Sequence, residues 1–213
     1  MAKLVPSQIT PEIEALLSRA VRRRYKPKDF ILRAGEVPNS LYLITEGSVT
    51  VYMEDDDGNE LILAYLGPGS YFGELGLFET CKGRSAWVRV RKNECEVASI
   101  SYDAFHQLSK EMPSVWLELS GQIAERLLDT NRKLGQLAFL DVTGRIARAL
   151  LDLSSDTEAM THPDGMMVKI SREELGKLVN CSREMAGKVL KNLESQGLIQ
   201  IEGRSIIIID TAK

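Results

Sequence analysis

Between Ser114 and Leu137 the positions Trp116, Ser120, Ile123, Leu127, Thr130, Leu134 and Leu137 follow one another four and three residues apart. That is the spacing of a coiled-coil seam, and it predicts one long helix. Such a helix beside a small domain exposes its apolar stripe unless something covers it. A parallel copy of the same chain is the economical cover, so the spacing predicts a homodimer. The competing cover is the domain that precedes the helix. The seam also divides the chain into three parts: residues 1–111, a helix over 112–138, and a second unit over 139–213.

Upstream of the helix the pattern is β. Short apolar runs recur at Phe30–Leu32, Leu41–Ile44, Ser48–Tyr52, Leu61–Tyr65, Ala86–Val90 and Cys95–Ile100. Turn signals separate them at Ala34-Gly35-Glu36, Glu46-Gly47, Asp57-Gly58-Asn59 and Gly67-Pro68-Gly69. Many short strands at this spacing predict an antiparallel sandwich or barrel over about 28–102. The acidic run Asp55–Glu60 has its glycine misplaced for a calcium loop, and Leu66 falls where the bidentate glutamate belongs. An Asp-Gly hairpin turn is the better reading.

With 44% hydrophobic and 27% charged residues in 213, the composition is that of an ordinary globular protein. No run approaches the ~20 apolar residues of a membrane span, and Met1–Pro6 lacks an apolar signal segment. A cytoplasmic protein without membrane partners is expected. Cys81, Cys95 and Cys181 are odd in number and scattered, which excludes a disulfide framework and suits a reducing compartment. A net charge of −3 gives no global sign of nucleic acid, so any DNA binding has to come from a local basic face.

Two segments carry candidate chemistry. Phe72-Gly73-Glu74-Leu75-Gly76-Leu77-Phe78 is followed closely by Arg84-Ser85, a glycine-containing turn set among strands. Glu74 can accept from a ribose hydroxyl. Arg84 and Ser85 can hold a phosphate diester, and glycines let backbone N–H groups approach an anion. The polar pair Thr130 and Asn131 interrupts the helical seam. Either it sets the register of a coiled coil or it offers hydrogen bonds to a base held by the barrel.

The second segment is Ser171–Lys191. Ser171 with Glu174 forms a capping box, Asn180 tolerates the left-handed conformation that ends a helix, and Ser182 caps the next. Met185, Ala186, Val189, Leu190 and Leu193 are expected to be the buried face of that second helix. Arg183, Glu184, Lys188 and Lys191 gather opposite, where a recognition helix meets base edges. Asp141 is placed to cap a helix over Val142–Leu153, and Ile199–Ile207 reads as a terminal hairpin. The sum is a winged helix-turn-helix. An enzyme on a cupin-like barrel would need several metal-binding histidines, and only His106 and His162 are present, without ligand spacing. No metal, no nucleophile–base pair and no catalytic activity are expected. Redox sensing through a cluster held by several N-terminal cysteines is not expected, since the first cysteine is Cys81.

These blocks resemble, in order and over nearly the whole chain, the cAMP receptor protein group of the Crp–Fnr transcriptional regulators, and within it the virulence factor regulator type. Phe72–Phe78, Arg84–Val88, Leu137–Arg145, Ala159–Met166 and Cys181–Met185 carry the likeness. The resemblance implies an α+β protein: an N-terminal cyclic-nucleotide-binding jelly-roll, a dimerisation helix, and a C-terminal winged helix-turn-helix that reads palindromic DNA. It implies that cAMP is the allosteric ligand. Gly73, Glu74 and Leu75 would hold its ribose side, Arg84 and Ser85 its phosphate, and Thr130 and Asn131 its adenine, the last from the partner subunit. Ser182, Arg183, Glu184, Lys188 and Lys191 would face DNA. Ala159, Thr161, His162 and Gly165 match a surface that touches RNA polymerase. A second polymerase-contacting surface is not carried over, since Val21 and Ala104 replace basic residues there and only Arg23 remains basic.

Overall fold

The computed structural model describes residues 4, 9–78, 83–156 and 159–209. Cys81 and, apart from Leu4, the start of the chain lie outside them. The chain forms two units, Met1–Thr130 and Asn131–Lys213. No described helix is long and apolar enough to cross a membrane.

The first unit opens with α1 (Pro11–Leu17) and the strands β1 (Val21–Tyr25), β2 (Phe30–Leu32), β3 (Ser40–Glu46), β4 (Val49–Glu54), β5 (Glu60–Leu66) and β6 (Tyr71–Phe72). A 3₁₀ turn (Glu74–Phe78), β7 (Trp87–Val90), β8 (Cys95–Ser101), α2 (Tyr102–Glu111) and α3 (Ser114–Phe139) follow. The strands form two antiparallel sheets of four, β1-β8-β3-β6 and β2-β7-β4-β5, which is the expected jelly-roll. Between the sheets lie Ile44, Val49, Phe72, Val88, Val90 and Val97. The other face of the first sheet, with Leu41, Leu43, Ala98 and Ile100, packs on Phe105, Leu108, Val115 and Leu119 of α2 and α3. The acidic run is a hairpin turn, with Gly58 at φ 81°. Asp55 Oδ1 accepts there from the backbone N–H of Asp57 at 3.0 Å and of Asn59 at 2.8 Å.

Three elements escaped the sequence reading for physical reasons. Strand β1 carries three consecutive arginines, which an edge strand tolerates because its outer side faces water. Arg24 there pairs with Glu96 at 3.1 Å. Strand β6 is two residues long. The segment read as a glycine turn among strands is in fact a 3₁₀ turn over Glu74–Phe78, too short for a periodic signal.

Helix α3 fills its seam differently from the spacing alone. Trp116 and Ile123 pack on the core of their own unit, so the competing cover takes the first half of the stripe. The exposed apolar row is rotated to Leu117, Gly121, Ala124 and Leu128, four and three apart, with Asn131 next in line. Leu117 and Leu128 are 76% and 68% exposed. Leu127, Leu134 and Leu137 of the original seam are exposed as well.

The second unit holds α4 (Val142–Ser154), β9 (Met160–His162), β10 (Gly165–Lys169), α5 (Arg172–Val179), α6 (Arg183–Ser195), β11 (Ile199–Glu202) and β12 (Ser205–Ile209). Its strands form one antiparallel sheet, β11-β12-β10-β9, and the terminal hairpin is the expected wing. Ile146, Leu150, Leu175, Ala186, Leu190 and Ile206 centre the core. The anticipated caps are present: Asp141 accepts from Gly144 N–H at 2.8 Å, Ser171 from Glu174 N–H at 3.1 Å, and Ser182 from Met185 N–H at 3.1 Å. Asn180 ends α5 at φ 56°, ψ 63°. Met185 departs from the expected buried face: it is 42% exposed, whereas Gly187, on the side of Arg183 and Lys191, is buried beneath Arg172.

The turn between α5 and α6 depends on Gly176. A Cβ there would sit 2.5 Å from the carbonyl oxygen of Cys181. Gly176→Ala should therefore cost the second unit about 2 kcal/mol. Both tryptophans, Trp87 and Trp116, belong to the first unit. In urea, circular dichroism of the variant should show an early loss of helix while the tryptophan fluorescence transition stays in place; coincident shifts of both would contradict this.

Candidate ligand and nucleic-acid sites

In the first unit the site is built around Arg84, which is only 8% exposed. The segment leading into β7 places it: Arg84 N–H donates to Glu36 O at 2.9 Å, and Gly35 N–H donates to Arg84 O at 2.9 Å. Its Nη1 donates to Gly73 O at 2.9 Å and to the Tyr102 hydroxyl at 2.8 Å, and Nη2 donates to Ser40 O at 2.9 Å. The guanidinium lies 5.6 Å from the Tyr42 ring centre and 5.8 Å from that of Tyr102. Every one of these partners is electrically neutral. Among the described residues no carboxylate pairs with Arg84, and of its five N–H groups one on Nη2 and the Nε–H are uncommitted.

Gly73 makes the close approach possible. It sits at φ 78°, and a Cβ there would lie 2.8 Å from Arg84 Nη1 and 3.2 Å from Ser40 O. Glu74, next in the chain, is mostly buried and meets Arg126 of α3 at 3.4 Å. Leu75 and Ser85 are exposed beside it. Burial holds the Tyr102 phenol above its usual pKa, against the opposing pull of Arg84, so it is a neutral hydroxyl at physiological pH.

Arg126 and Gln122 are site residues that the sequence reading missed. Gln122 Oε1 accepts from Tyr71 N–H at 2.9 Å, and its Nε2 donates to Gly69 O at 2.8 Å. Arg126 donates to Tyr71 O. The open edge of β6 is thus satisfied by helix side chains where another strand would lie. Thr130 continues the row one turn on, its hydroxyl donating to Arg126 O at 2.8 Å. The available signal was the polar row Gln122, Arg126, Thr130, spaced four apart on a helix read only for its apolar stripe. Thr130 and Asn131 are both exposed.

In the second unit Arg183, Glu184, Lys188 and Lys191 are exposed on one side of α6. With Gly187 and Arg172 they line a shallow depression of about 350 Å³. Arg172, at the start of α5, is an addition to the expected set; it lies across α6 where Gly187 has no side chain, its Cδ 3.5 Å from the place a Cβ would take. Glu184 and Lys188 pair at 2.9 Å, one turn apart. Ser182 is occupied as the cap of α6. Ala159, Thr161, His162 and Gly165 fall on the β9–β10 hairpin, where His162 pairs with Gly165 and its Nδ1 accepts from Asp164 N–H at 3.3 Å. Of the second surface, Val21 and Arg23 are exposed on β1, while Ala104 packs against the core.

Family models match both units: a cyclic nucleotide-binding domain over residues 22–112 and a Crp-like helix-turn-helix domain over 144–213. The cAMP-activated global transcriptional regulator Vfr of Pseudomonas aeruginosa is 52% identical over 93% of this chain and 94% of its own. The chain belongs to the Crp–Fnr family of transcriptional regulators. The cAMP-activated global transcriptional regulator CRP of Salmonella typhimurium is 50% identical over 96% of this chain and 97% of its own. Among solved structures, the c-di-GMP responsive global regulator CLP of Xanthomonas campestris matches with a TM-score of 0.88 at 43% identity, covering 94% of this chain and 99% of that one.

Gln122→Leu tests the completed sheet edge. It removes the acceptor of Tyr71 N–H and the donor to Gly69 O, and the first unit should lose about 1–3 kcal/mol. Urea unfolding followed by tryptophan fluorescence measures it, and an unchanged midpoint would refute the role given to Gln122.

Proposed function

We propose that this protein is a cAMP-gated transcriptional regulator that acts as a homodimer on a palindromic promoter site and touches RNA polymerase through the β9–β10 hairpin. The observation that carries the ligand half is Arg84, a buried cation held by neutral groups and with two N–H donors uncommitted among the described residues. A buried charge of that kind calls for an anion, and a fork of N–H groups suits two oxygens of a phosphate. Glu74 can accept from the ribose hydroxyl, with Gly73 and Leu75 beside it, and Ser85 can add a donor to the phosphate. The names of the relatives at 50% and 52% identity support cAMP as the ligand.

The exposed apolar row on α3 supports a second copy as its cover. In a dimer Asn131 would lie along that interface, next to a ligand contacted by Thr130. Gating then follows from differential binding: cAMP shifts the population towards the arrangement it binds more tightly. That arrangement would set the two α6 helices one DNA turn apart, about 34 Å. Arg183 and Lys188 suit guanine edges or phosphates, Glu184 suits a cytosine amino group, and Lys191 and Arg172 suit phosphates.

The deciding experiment is a titration of DNA carrying a two-fold-symmetric site, with no ligand, cAMP, cGMP or cyclic di-GMP. Tight binding only with cAMP supports the proposal; a response to cyclic di-GMP alone would replace it with a dinucleotide sensor. Arg84→Leu should abolish cAMP binding in calorimetry while circular dichroism shows a folded chain, and an unchanged affinity would sink the assigned pocket. Arg183→Ala should cost about 1–3 kcal/mol at one base position and relax specificity there. A uniform loss across all DNA sequences would instead make Arg183 a phosphate clamp.

A further inference from the structure

Arg84 could grip a phosphate in more than one orientation, so something has to fix the direction of its fork. Its side chain is held at three points, two of which are backbone carbonyls, of Gly73 and Ser40. The third is the hydroxyl of Tyr102, the first residue of α2, and among the described residues it is the one hydrogen-bond partner that a side chain supplies. Proton chemistry determines the sense of each bond. Arginine has donors only, so the phenol oxygen accepts from Nη1 at 2.8 Å and its single proton goes to Gly73 O at 2.6 Å. Arg84, Tyr102 and Gly73 therefore close a three-membered ring of hydrogen bonds.

The surroundings are shaped to that hydroxyl. Ser101 caps α2 by accepting from Ala104 N–H, and Tyr102 N–H donates to Asn39 O at 3.2 Å, so the residue is anchored at its backbone. Gly76 in the 3₁₀ turn leaves the room, since a Cβ there would stand 2.4 Å from the Tyr102 oxygen. The Tyr102 ring also lies against the guanidinium, and phenylalanine would keep that contact.

We propose, on the cyclic-nucleotide reading of this pocket, that Tyr102 is its positioning residue: its hydroxyl turns the Arg84 fork so that one exocyclic oxygen of the cyclic phosphate is preferred over the other. Tyr102 does not touch the ligand; it acts through Arg84. Removing the hydroxyl leaves Nη1 with one partner in place of two and frees the guanidinium to turn about its remaining carbonyl contacts. The consequence is a loss of stereochemical discrimination as well as of affinity.

The test uses the full-length protein and three probes: cAMP and its Rp and Sp phosphorothioate diastereomers, in which sulfur replaces one or the other exocyclic oxygen. The wild-type protein should bind cAMP and separate the two diastereomers. Tyr102→Phe should weaken cAMP about tenfold, and the affinities of the two diastereomers should move several-fold closer to each other. Tyr102→Gln, which restores an acceptor and a donor, provides a second variant should the first fold poorly, and should recover part of the difference. Unchanged cAMP affinity, or equal weakening of both diastereomers with the ratio preserved, would overturn the role. A wild-type protein that binds cAMP without discriminating would overturn it as well. Failure of the wild-type protein to bind cAMP at all is a distinct result, and it removes the pocket reading together with this one.

Discussion

A positive charge is buried in the first unit, and among the described residues no carboxylate pairs with it. Arg84 is 8% exposed and held by two carbonyls and a hydroxyl. Burying an ion is expensive unless it is paired, and neutral dipoles compensate only part of that cost. A carboxylate in contact would have relieved it and closed the site. Glu74, the acidic neighbour in sequence, is directed instead to Arg126. That division keeps the Arg84 charge available for an anion. Gly73 serves the same arrangement, since any side chain at φ 78° and 2.8 Å from Nη1 would push the guanidinium away.

The partner of Glu74 belongs to α3, and this ties the pocket to the helix. Gly69, Tyr71 and Glu74 are all engaged by Gln122 and Arg126, so the chain leading into the pocket rests on helix side chains. The same helix buries Val115 and Leu119 in the core and exposes Leu117 and Leu128 to water. One helix therefore carries three faces: one in its own core, one against the chain from Gly69 to Glu74, and one apolar face exposed to water. On the proposed reading, a ligand that pulls on Glu74 would alter the hold on Arg126 and with it the turn that carries Thr130. That gives coupling a physical route through contacts seen in the structure.

What could be read from the sequence follows from how each feature is encoded. Caps at Asp141, Ser171 and Ser182, the Asn180 turn and the wing hairpin depend on local residue chemistry, and each appears where local chemistry put it. The sheets were legible as strands, but β1 was hidden by its arginines and β6 by its length. The seam of α3 was legible as a period but not as a phase. Trp116 and Ile123 were absorbed by a core that spacing alone does not reveal, and the exposed row turned accordingly. Met185 was misassigned because an apolar residue type does not by itself show which edge of a helix the core covers; it is 42% exposed while its neighbour Ala186 is buried. In the pocket, Arg84 and Glu74 were legible as chemistry, whereas Arg126, Gln122 and Tyr102 were not, because their roles exist only through contacts between distant segments.

The direction of one hydrogen bond bears on the choice between purine rings. Thr130 donates its proton to Arg126 O, so towards anything else its oxygen is an acceptor. On the proposed reading, adenine offers it the 6-amino group, a donor. Guanine presents a 6-oxo group there, an acceptor facing an acceptor. Freeing the Thr130 proton for guanine would leave the Arg126 carbonyl without that bond inside a helix turn, which favours adenine. Asn131 does not add to this preference, because its amide carries both an acceptor and donors and can turn either way. Adenine selectivity would then rest on a hydroxyl already committed within the helix, and the asparagine beside it would contribute to affinity and to the dimer interface more than to the choice of base.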